Sequence, residues 1–390
     1  MIEDVDVLII GGGVVGNVLM RALPTSLRVL LVDDKPISLM KDAFDARSIA
    51  LSQSSIQILK MLEIWPLLEK KYAPIEGVHV SEKGRFGHAR LSRAGEALGA
   101  VVEMSVLSVY CAGEPASVLG PANLVHYDSE TRCATVKTPT QERVIRANII
   151  VGADGAHSFL RTCCQLPLVE KDYHQQALVA NIGLQRPHQQ WAYERFTEHG
   201  PLAMLPMTDS RAALIWVNSP ERTALLNQLS DEAFLKSLQA AFGYRLGRFL
   251  KVGKRSLYPL FQKVMPNKVQ GTAVFIGNAA HTLHPIAGQG LNLGLRDAAM
   301  LAQCIKQYGP TKEALVNYED SRKADEQVIT ISTDNLIRLF GAKIPGLSMA
   351  RGLGLLMLDN SSLLKQIVSR YASGYGGVVP DLVCGIVPQA

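Results

Sequence analysis

Residues 5–10, Val5-Asp6-Val7-Leu8-Ile9-Ile10, form a short apolar run that breaks directly into Gly11-Gly12-Gly13-Val14-Val15-Gly16. The run is β-branched, too short for a helix and bounded by glycine, so it reads as a buried parallel strand. The glycines constrain the fold further. Gly11 permits the tight turn, Gly13 lets backbone approach a pyrophosphate, and Gly16 allows the next helix to pack closely on the sheet. That helix, expected over residues 14–22 and including Val15, presents its N-terminal amides and dipole to the phosphates. A second strand, Arg28-Val29-Leu30-Leu31-Val32, ends at Asp33-Asp34, where an acid holds a ribose hydroxyl. Asp33 directly follows the apolar run and is preferred. Strand, glycine turn, helix, strand and acid in this register describe a dinucleotide-binding βαβ unit.

A chain of 390 residues exceeds one minimal domain and predicts two sub-domains. The net charge of +5 is spread without a basic run, so nucleic acid is not an expected partner. The six cysteines form no C-x-x-C pair, which predicts free thiols and no metal site. The start of the sequence is acidic where a signal peptide would be basic, and no apolar run reaches the ~18 residues of a spanning helix. A cytoplasmic protein is expected, free or attached peripherally to the inner face of the membrane.

Two later segments join the glycine turn. Asn148-Ile149-Ile150-Val151 reads as another buried strand and delivers Gly152-Ala153-Asp154-Gly155, with Ser158 and Arg161 completing D-G-x-x-S-x-x-R. Further on, Gly277-Asn278-Ala279-Ala280-His281 leads through His284 and Pro285 to Gly288-Gln289-Gly290-Leu291-Asn292-Leu293-Gly294. Together, in this order, the three segments resemble the fingerprints of the single-component FAD-dependent aromatic hydroxylases, the group built like p-hydroxybenzoate hydroxylase. Asp45-Ala46-Arg47-Ser48-Ile49-Ala50-Leu51, Val78-His79-Val80-Ser81, the stretch from Glu194 to Pro206 and Thr333-Asp334-Asn335-Leu336 are similar to the ubiquinone-biosynthesis hydroxylases within that group. The resemblance covers nearly the whole chain.

The resemblance implies bound FAD, NADPH or NADH as transient reductant, and O2 as co-substrate, with oxygen delivered through a flavin hydroperoxide. It implies a polyprenylated phenol as substrate, 2-octaprenyl-6-methoxyphenol being the expected one, and quinone-biosynthesis proteins as partners. The FAD contacts it implies are Gly11, Gly13, Val15, Gly16, Asp33, Asp154, Gly155, Asn278, Gly288, Gln289, Gly290, Leu291 and Asn292, with Arg47 beside the pyrophosphate. The middle segment would also meet the nicotinamide cofactor. Two departures stand out. Asn278 replaces the usual ribitol-binding acid, keeping hydrogen bonding without charge. The region 105–121, where relatives carry a helix, is interrupted by Cys111-Ala112-Gly113-Glu114-Pro115. His284, beside Pro285 in the flavin-facing loop, is the candidate base for forming a phenolate.

The expected fold class is α/β, a discontinuous Rossmann-like FAD-binding domain with an inserted β-rich substrate domain and a helical C-terminal region. The first would span residues 1–75, 101–172 and 268–340, the second 76–100 and 173–267, the third 341–390. Leu178, Ala180, Ile182 and Leu184 alternate with period two, predicting a half-buried strand; residues 202–205 and 212–217 predict two more. A helix is expected after Gly290 with Leu291, Leu293, Leu295, Ala298 and Leu301 inward, and another from residue 45 through Leu62. Tyr318, Arg322 and Asp325 share a helix face and read as a surface hydrogen-bond cluster. The apolar tail reads as core packing, with a membrane- or partner-facing surface as the alternative.

Competing classes lack their marks. A two-nucleotide reductase needs a second G-x-G-x-x-G, and the isolated Trp65, Trp191 and Trp216 make no W-x-W-x-I-P halogenase motif. The alternative readings are a non-catalytic FAD-holding scaffold in a quinone-synthesis assembly, or a hydroxylase of another ring position or aromatic substrate.

Overall fold

The computed structural model describes residues 2–35, 47–93, 95–112, 117–208, 210–284, 288–341 and 347–386. A parallel sheet lies at its centre, in the order Ala273–Phe275, Glu142–Gly152, Ile2–Ile10, Val29–Val32, Val118–Leu119. Ile10 stands opposite both Gly152 and Val32, and Gly152 opposite Phe275, so the strands end level with one another. Both faces are covered. Val7, Ile9, Ile149 and Val151 pack toward helices Val14–Ala22 and Gln289–Tyr308, while Leu8, Ile10 and Ile150 pack toward Leu160 and Phe275. An antiparallel extension, Cys133–Lys137 with Asn123–Asp128, is appended to the Glu142–Gly152 strand.

A nine-stranded, mostly antiparallel sheet is built from strands between Gly77 and Thr282. Its longest strand, Val169–Leu184, buries Leu178, Ala180, Ile182 and Leu184, as their alternation predicts. Neighbouring strands Arg211–Asn218 and Gly200–Pro206 contain the two other predicted segments. These apolar faces pack on helix Asp231–Phe242 through Trp216, Phe234 and Phe242.

A three-stranded sheet joins these layers, and it corrects two readings. Ser48–Ser52 is a strand paired antiparallel with Gly99–Glu103, not the start of a long helix. The helix begins only at Gln53, where the Ser52 hydroxyl caps it by accepting from the Ser55 amide. The predicted start at residues 45 and 46 lies outside the described residues. The interruption expected around 105–121 leaves a helix in place: Met104–Cys111 forms, with Leu107 and Cys111 buried. After helix Gln289–Tyr308 come Lys312–Gly341, Leu347–Asn360 and Ser362–Ala372. Among the described residues no helix is long and apolar enough to cross a membrane, and no cluster of ligating side chains could hold a metal.

Candidate active site

Four neighbouring parallel strands deliver the predicted residues to one edge of the sheet. Across that edge, Ala273–Phe275 leads to Gly277 and Asn278, Glu142–Gly152 to Asp154, Ile2–Ile10 to Gly11, and Val29–Val32 to Asp33. In such open sheets a ligand binds outside the carboxyl ends of the strands, where the connections diverge. Three stretches separated by more than a hundred residues each are therefore neighbours because their strands are.

The glycine turn fits a nucleotide by where side chains are impossible and where they are not. A Cβ on Gly11 would lie 2.4 Å from the Ala153 carbonyl oxygen, and Gly11 has a φ of +111°. A Cβ on Gly16 would lie 2.0 Å from the Gly11 oxygen, which fixes the close approach of the first helix. Gly13 differs: its backbone is extended and a Cβ there would meet nothing within 4 Å. The space above Gly13, at the N-terminus of helix Val14–Ala22, is where a pyrophosphate would sit. Asn17, which the sequence reading missed, holds this turn by donating from Nδ2 to the carbonyls of Gly12 (2.6 Å) and Gly13 (3.1 Å). Its signal was available as the amide residue just after the fingerprint.

Asp33 lies against the same turn, with Oδ2 2.2 Å from where a Gly12 Cβ would be. Partial burial and the neighbouring Asp34 raise its carboxyl above the usual range. Asp154 Oδ2 accepts from the amides of Phe159 (2.8 Å) and Leu160 (3.3 Å), while Oδ1 is buried without a hydrogen-bond partner. A buried carboxylate oxygen left over in this position suits a ligand hydroxyl or amide. Gly155, at φ +85°, also faces open space. The other members of the middle motif are structural here. Ser158 caps the next helix, and Arg161 donates to the Ala279 carbonyl at 2.7 Å, tying the second segment to the third.

Asn278 is exposed although Gly277 and Ala279 on either side are buried, and it lies just beyond the end of strand Ala273–Phe275. Gly277 and Gly294 interlock with Val15: Cβ atoms at these glycines would lie 3.3 and 3.0 Å from Val15 methyls. Val15 thus acts as the contact joining first and third segments. Gly288, in the left-handed region at φ +61°, precedes helix Gln289–Tyr308, and Gly290 opens on free space. Leu293, Leu295, Ala298 and Leu301 are buried as predicted and Leu291 is half-buried. Asn292 is committed to protein partners. Its Nδ2 donates to Ala50 O and Gly288 O, and its Oδ1 accepts from the Ser52 amide and Ser55 hydroxyl. All its side-chain donors are in use, so it shapes the flavin-side loop rather than offering its amide to a ligand. Gln289 turns toward the Ala372 carbonyl at 3.4 Å. Arg47 is exposed with its guanidinium 5.2 Å from the Tyr258 ring centroid, on the sheet-facing side.

His284 is 1% exposed and meets the Tyr173 ring edge-on at 5.2 Å. Burial lowers its imidazole to about 4, so it is neutral near pH 7 and its surroundings oppose the protonated form. Pro285 lies outside the described residues.

Behind the crevice the structure overturns the surface reading of Tyr318, Arg322 and Asp325. Helix Lys312–Gly341 packs on Gln289–Tyr308, leaving these residues 0%, 0% and 5% exposed. The facing helix supplies the countercharges that make burial tolerable. Asp297 accepts from His281 Nε2 (2.5 Å), Arg322 Nε (2.8 Å) and the Gly277 amide (3.1 Å). Asp325 pairs with Arg322 at 2.6 Å and Arg296 at 3.0 Å. Burial works against ionised Asp297, yet the hydrogen-bonded His281 ring and the Arg322 guanidinium hold its carboxyl far below the usual range. Tyr318 donates to the Phe275 carbonyl at 3.2 Å. Asp297 and Tyr318 thereby hold both sides of the Ile276–Gly277 exit from the sheet. The spacing alone gave no sign of the facing charges.

Comparison with known proteins agrees with this geometry. Residues 4–330 match the FAD binding domain family. The chain is 32% identical to ubiquinone hydroxylase UbiL of Rhodospirillum rubrum, over 98% of this chain and 93% of that protein. It is 28% identical to 3-demethoxyubiquinol 3-hydroxylase of Escherichia coli, covering 95% and 99% respectively. The fold matches p-nitrophenol 4-monooxygenase PnpA of Pseudomonas putida with a TM-score of 0.78, at 16% identity, over 95% of this chain and 99% of that one. The chain belongs to the FAD-binding monooxygenases, in the family of the ubiquinone-biosynthesis hydroxylases.

Proposed function

We propose that this protein hydroxylates a polyprenylated phenol in ubiquinone biosynthesis, with 2-octaprenyl-6-methoxyphenol as the substrate and NADPH or NADH as reductant. The observation carrying the reading is near full-length similarity to two proteins named for ubiquinone-ring hydroxylation, in a chain whose motif residues share one sheet edge. Bound FAD would supply the redox chemistry that couples nicotinamide oxidation to oxygen transfer onto the ring.

The chain's residues bind and orient. Asp33 accepts from the ribose hydroxyls, and the Gly13 backbone with the amides of the first helix turn, Val15 included, receives the pyrophosphate. Asp154 Oδ1, the Gly155 backbone and the Asn278 amide fit the ribityl region. Helix Gln289–Tyr308 directs the amides of Gly290 and Leu291 toward the ring edge that gains negative charge on reduction. Arg47 balances the pyrophosphate charge from the sheet side. His284, almost fully buried beside Tyr173, is the candidate acceptor of the phenol proton, against the cost that burial places on its charged form.

Purified FAD-loaded protein, NADPH, O2 and a short-tailed prenylphenol test this directly. A hydroxylated ring detected by mass spectrometry is expected. Bound FAD with no product would favour the scaffold reading. Accumulation of a different ring precursor in cells lacking the protein would move the reaction to another ring position.

A further inference from the structure

The last two helices invert the polarity expected of a water-facing helix. Leu347–Asn360 turns its charges inward. Arg351, its side chain 8% exposed, makes a two-pronged pair with Glu82, and Asp359 accepts from the Arg90 amide at 2.9 Å and from Lys365 at 3.1 Å. Gly352 fits against the backbone of Gly87, so the helix is seated closely on the edge of the large sheet. Its outer stripe is Met349, Leu353 and Met357, exposed by 62%, 51% and 66% and spaced four residues apart. On the adjoining helix Ser362–Ala372, Leu363, Leu364, Ile367, Val368 and Tyr371 are also exposed. A soluble helix buries its apolar stripe and shows its charges; here the ionic face is the seated one.

We infer that this apolar face is a docking surface for an anionic lipid bilayer. Charge selects the occupant. Between Leu347 and Ala372 the sole acid is Asp359, its side chain 10% exposed and paired, whereas Arg370 is exposed and Arg90 projects beside Asp359. An apolar centre with exposed Arg370 at its edge, on two helices whose described residues expose no carboxylate, complements anionic headgroups over acyl chains. A symmetric second copy would set the same cations against each other. The docking face does not depend on the substrate assignment, but it extends that reading: a polyprenyl tail would reach the enzyme from the membrane on which the enzyme rests.

Co-sedimentation of the full-length, FAD-loaded protein with phosphatidylglycerol–phosphatidylcholine vesicles tests the surface. Binding is expected, stronger than to phosphatidylcholine alone and weakened by salt. The triple variant M349Q/L353Q/M357Q should bind at least about tenfold more weakly, with unchanged flavin absorbance and melting temperature. Equal vesicle binding by wild type and variant overturns the inference. So does protein that stays in the supernatant, or a wild-type dimer that the variant converts to monomer. Vesicle binding without phenol hydroxylation would instead count against the proposed substrate and leave the docking face standing.

Discussion

Asp297→Asn should separate the part of this site that is architecture from the part that is chemistry. The carboxylate is 1% exposed and takes three donors, from His281, Arg322 and Gly277. Two guanidiniums, Arg296 and Arg322, are balanced by two carboxylates, Asp297 and Asp325, in a region closed to water. An amide at 297 leaves the shape nearly intact but removes one of the two negative charges. Breaking one side of a buried pair costs about 3–5 kcal/mol, because the remaining charge stays buried uncompensated. That is a large share of the ~5–15 kcal/mol that holds a folded domain together. The melting temperature followed by circular dichroism should fall by roughly 5 °C, since a chain of 390 residues loses about 0.8 kcal/mol of stability per degree near its midpoint.

The same substitution should also loosen FAD. Asp297 takes the Gly277 amide next to Asn278, so the loss moves the turn at the end of its strand. A shift of ~1 kcal/mol there gives about a fivefold rise in Kd, measurable by flavin fluorescence. Replacing Asp297 and Arg322 together by near-isosteric neutral residues should recover much of the stability, and the double-mutant cycle reads the coupling. The exposed pair Lys323–Asp320 serves as control, where Lys323→Ala should cost less than about 0.5 kcal/mol. An Asp297→Asn protein within 1 kcal/mol of wild type and with unchanged FAD affinity would refute the reasoning.

Gly13→Ala and Gly16→Ala should fail in opposite ways. The first adds a methyl to open space and should leave apoprotein stability within ~0.5 kcal/mol while weakening FAD at least about tenfold; the second drives a methyl to 2.0 Å from a carbonyl and should destabilise the apoprotein by ~2–3 kcal/mol. Equal melting temperatures for the two apoproteins would contradict this. His284 predicts acid sensitivity. Its folded value of about 4 lies below the unfolded ~6.5, so stability is complete above pH 6.5 and is lost as the pH falls through 6.5 toward 4, by up to ~3 kcal/mol. His284→Gln should flatten that pH dependence of unfolding, and an unchanged hydroxylation pH profile in the same variant would reject the base role. Asn278→Asp restores a charge at an exposed position, so it should leave the fold intact and change FAD affinity less than tenfold by flavin titration.

How much of this was legible in the sequence depended on whether a signal was local. The 11–16 turn, Asp33 and the 178–184 alternation were readable because backbone conformation and strand period are set by adjacent residues. Ser48–Ser52 was not: its Ile-Ala-Leu core suits a helix as well as a strand, and pairing with Gly99–Glu103 decides it. Tyr318, Arg322 and Asp325 were misread for a related reason. Helical spacing places them on one face, but only the opposing helix determines whether that face meets water or Asp297. Asn292 was found by its motif, yet its partners Ala50, Ser52 and Ser55 lie some 240 residues earlier, so its structural duty was invisible.

The interlocking of Val15, Gly277 and Gly294 explains why a nucleotide site here cannot be divided into binding residues and packing residues. Helices Val14–Ala22 and Gln289–Tyr308 cross where Gly294 brings its Cα side against Gly277 and the Val15 methyls. In the proposed function the first helix would point its amides at the pyrophosphate and the second would point its own toward the flavin ring. Their relative placement would then fix the span over which the cofactor stretches. A methyl added at Gly294 would push on both at once, since its neighbours at 3.0 Å are a Gly277 backbone atom and Val15 Cγ2. Asn278 can lose the customary charge without consequence for that span, because the distance between the two amide clusters is held by apolar contact and by Asp297 behind it, not by residue 278. The fold tolerates substitution where the site faces the crevice and resists it where the three segments touch.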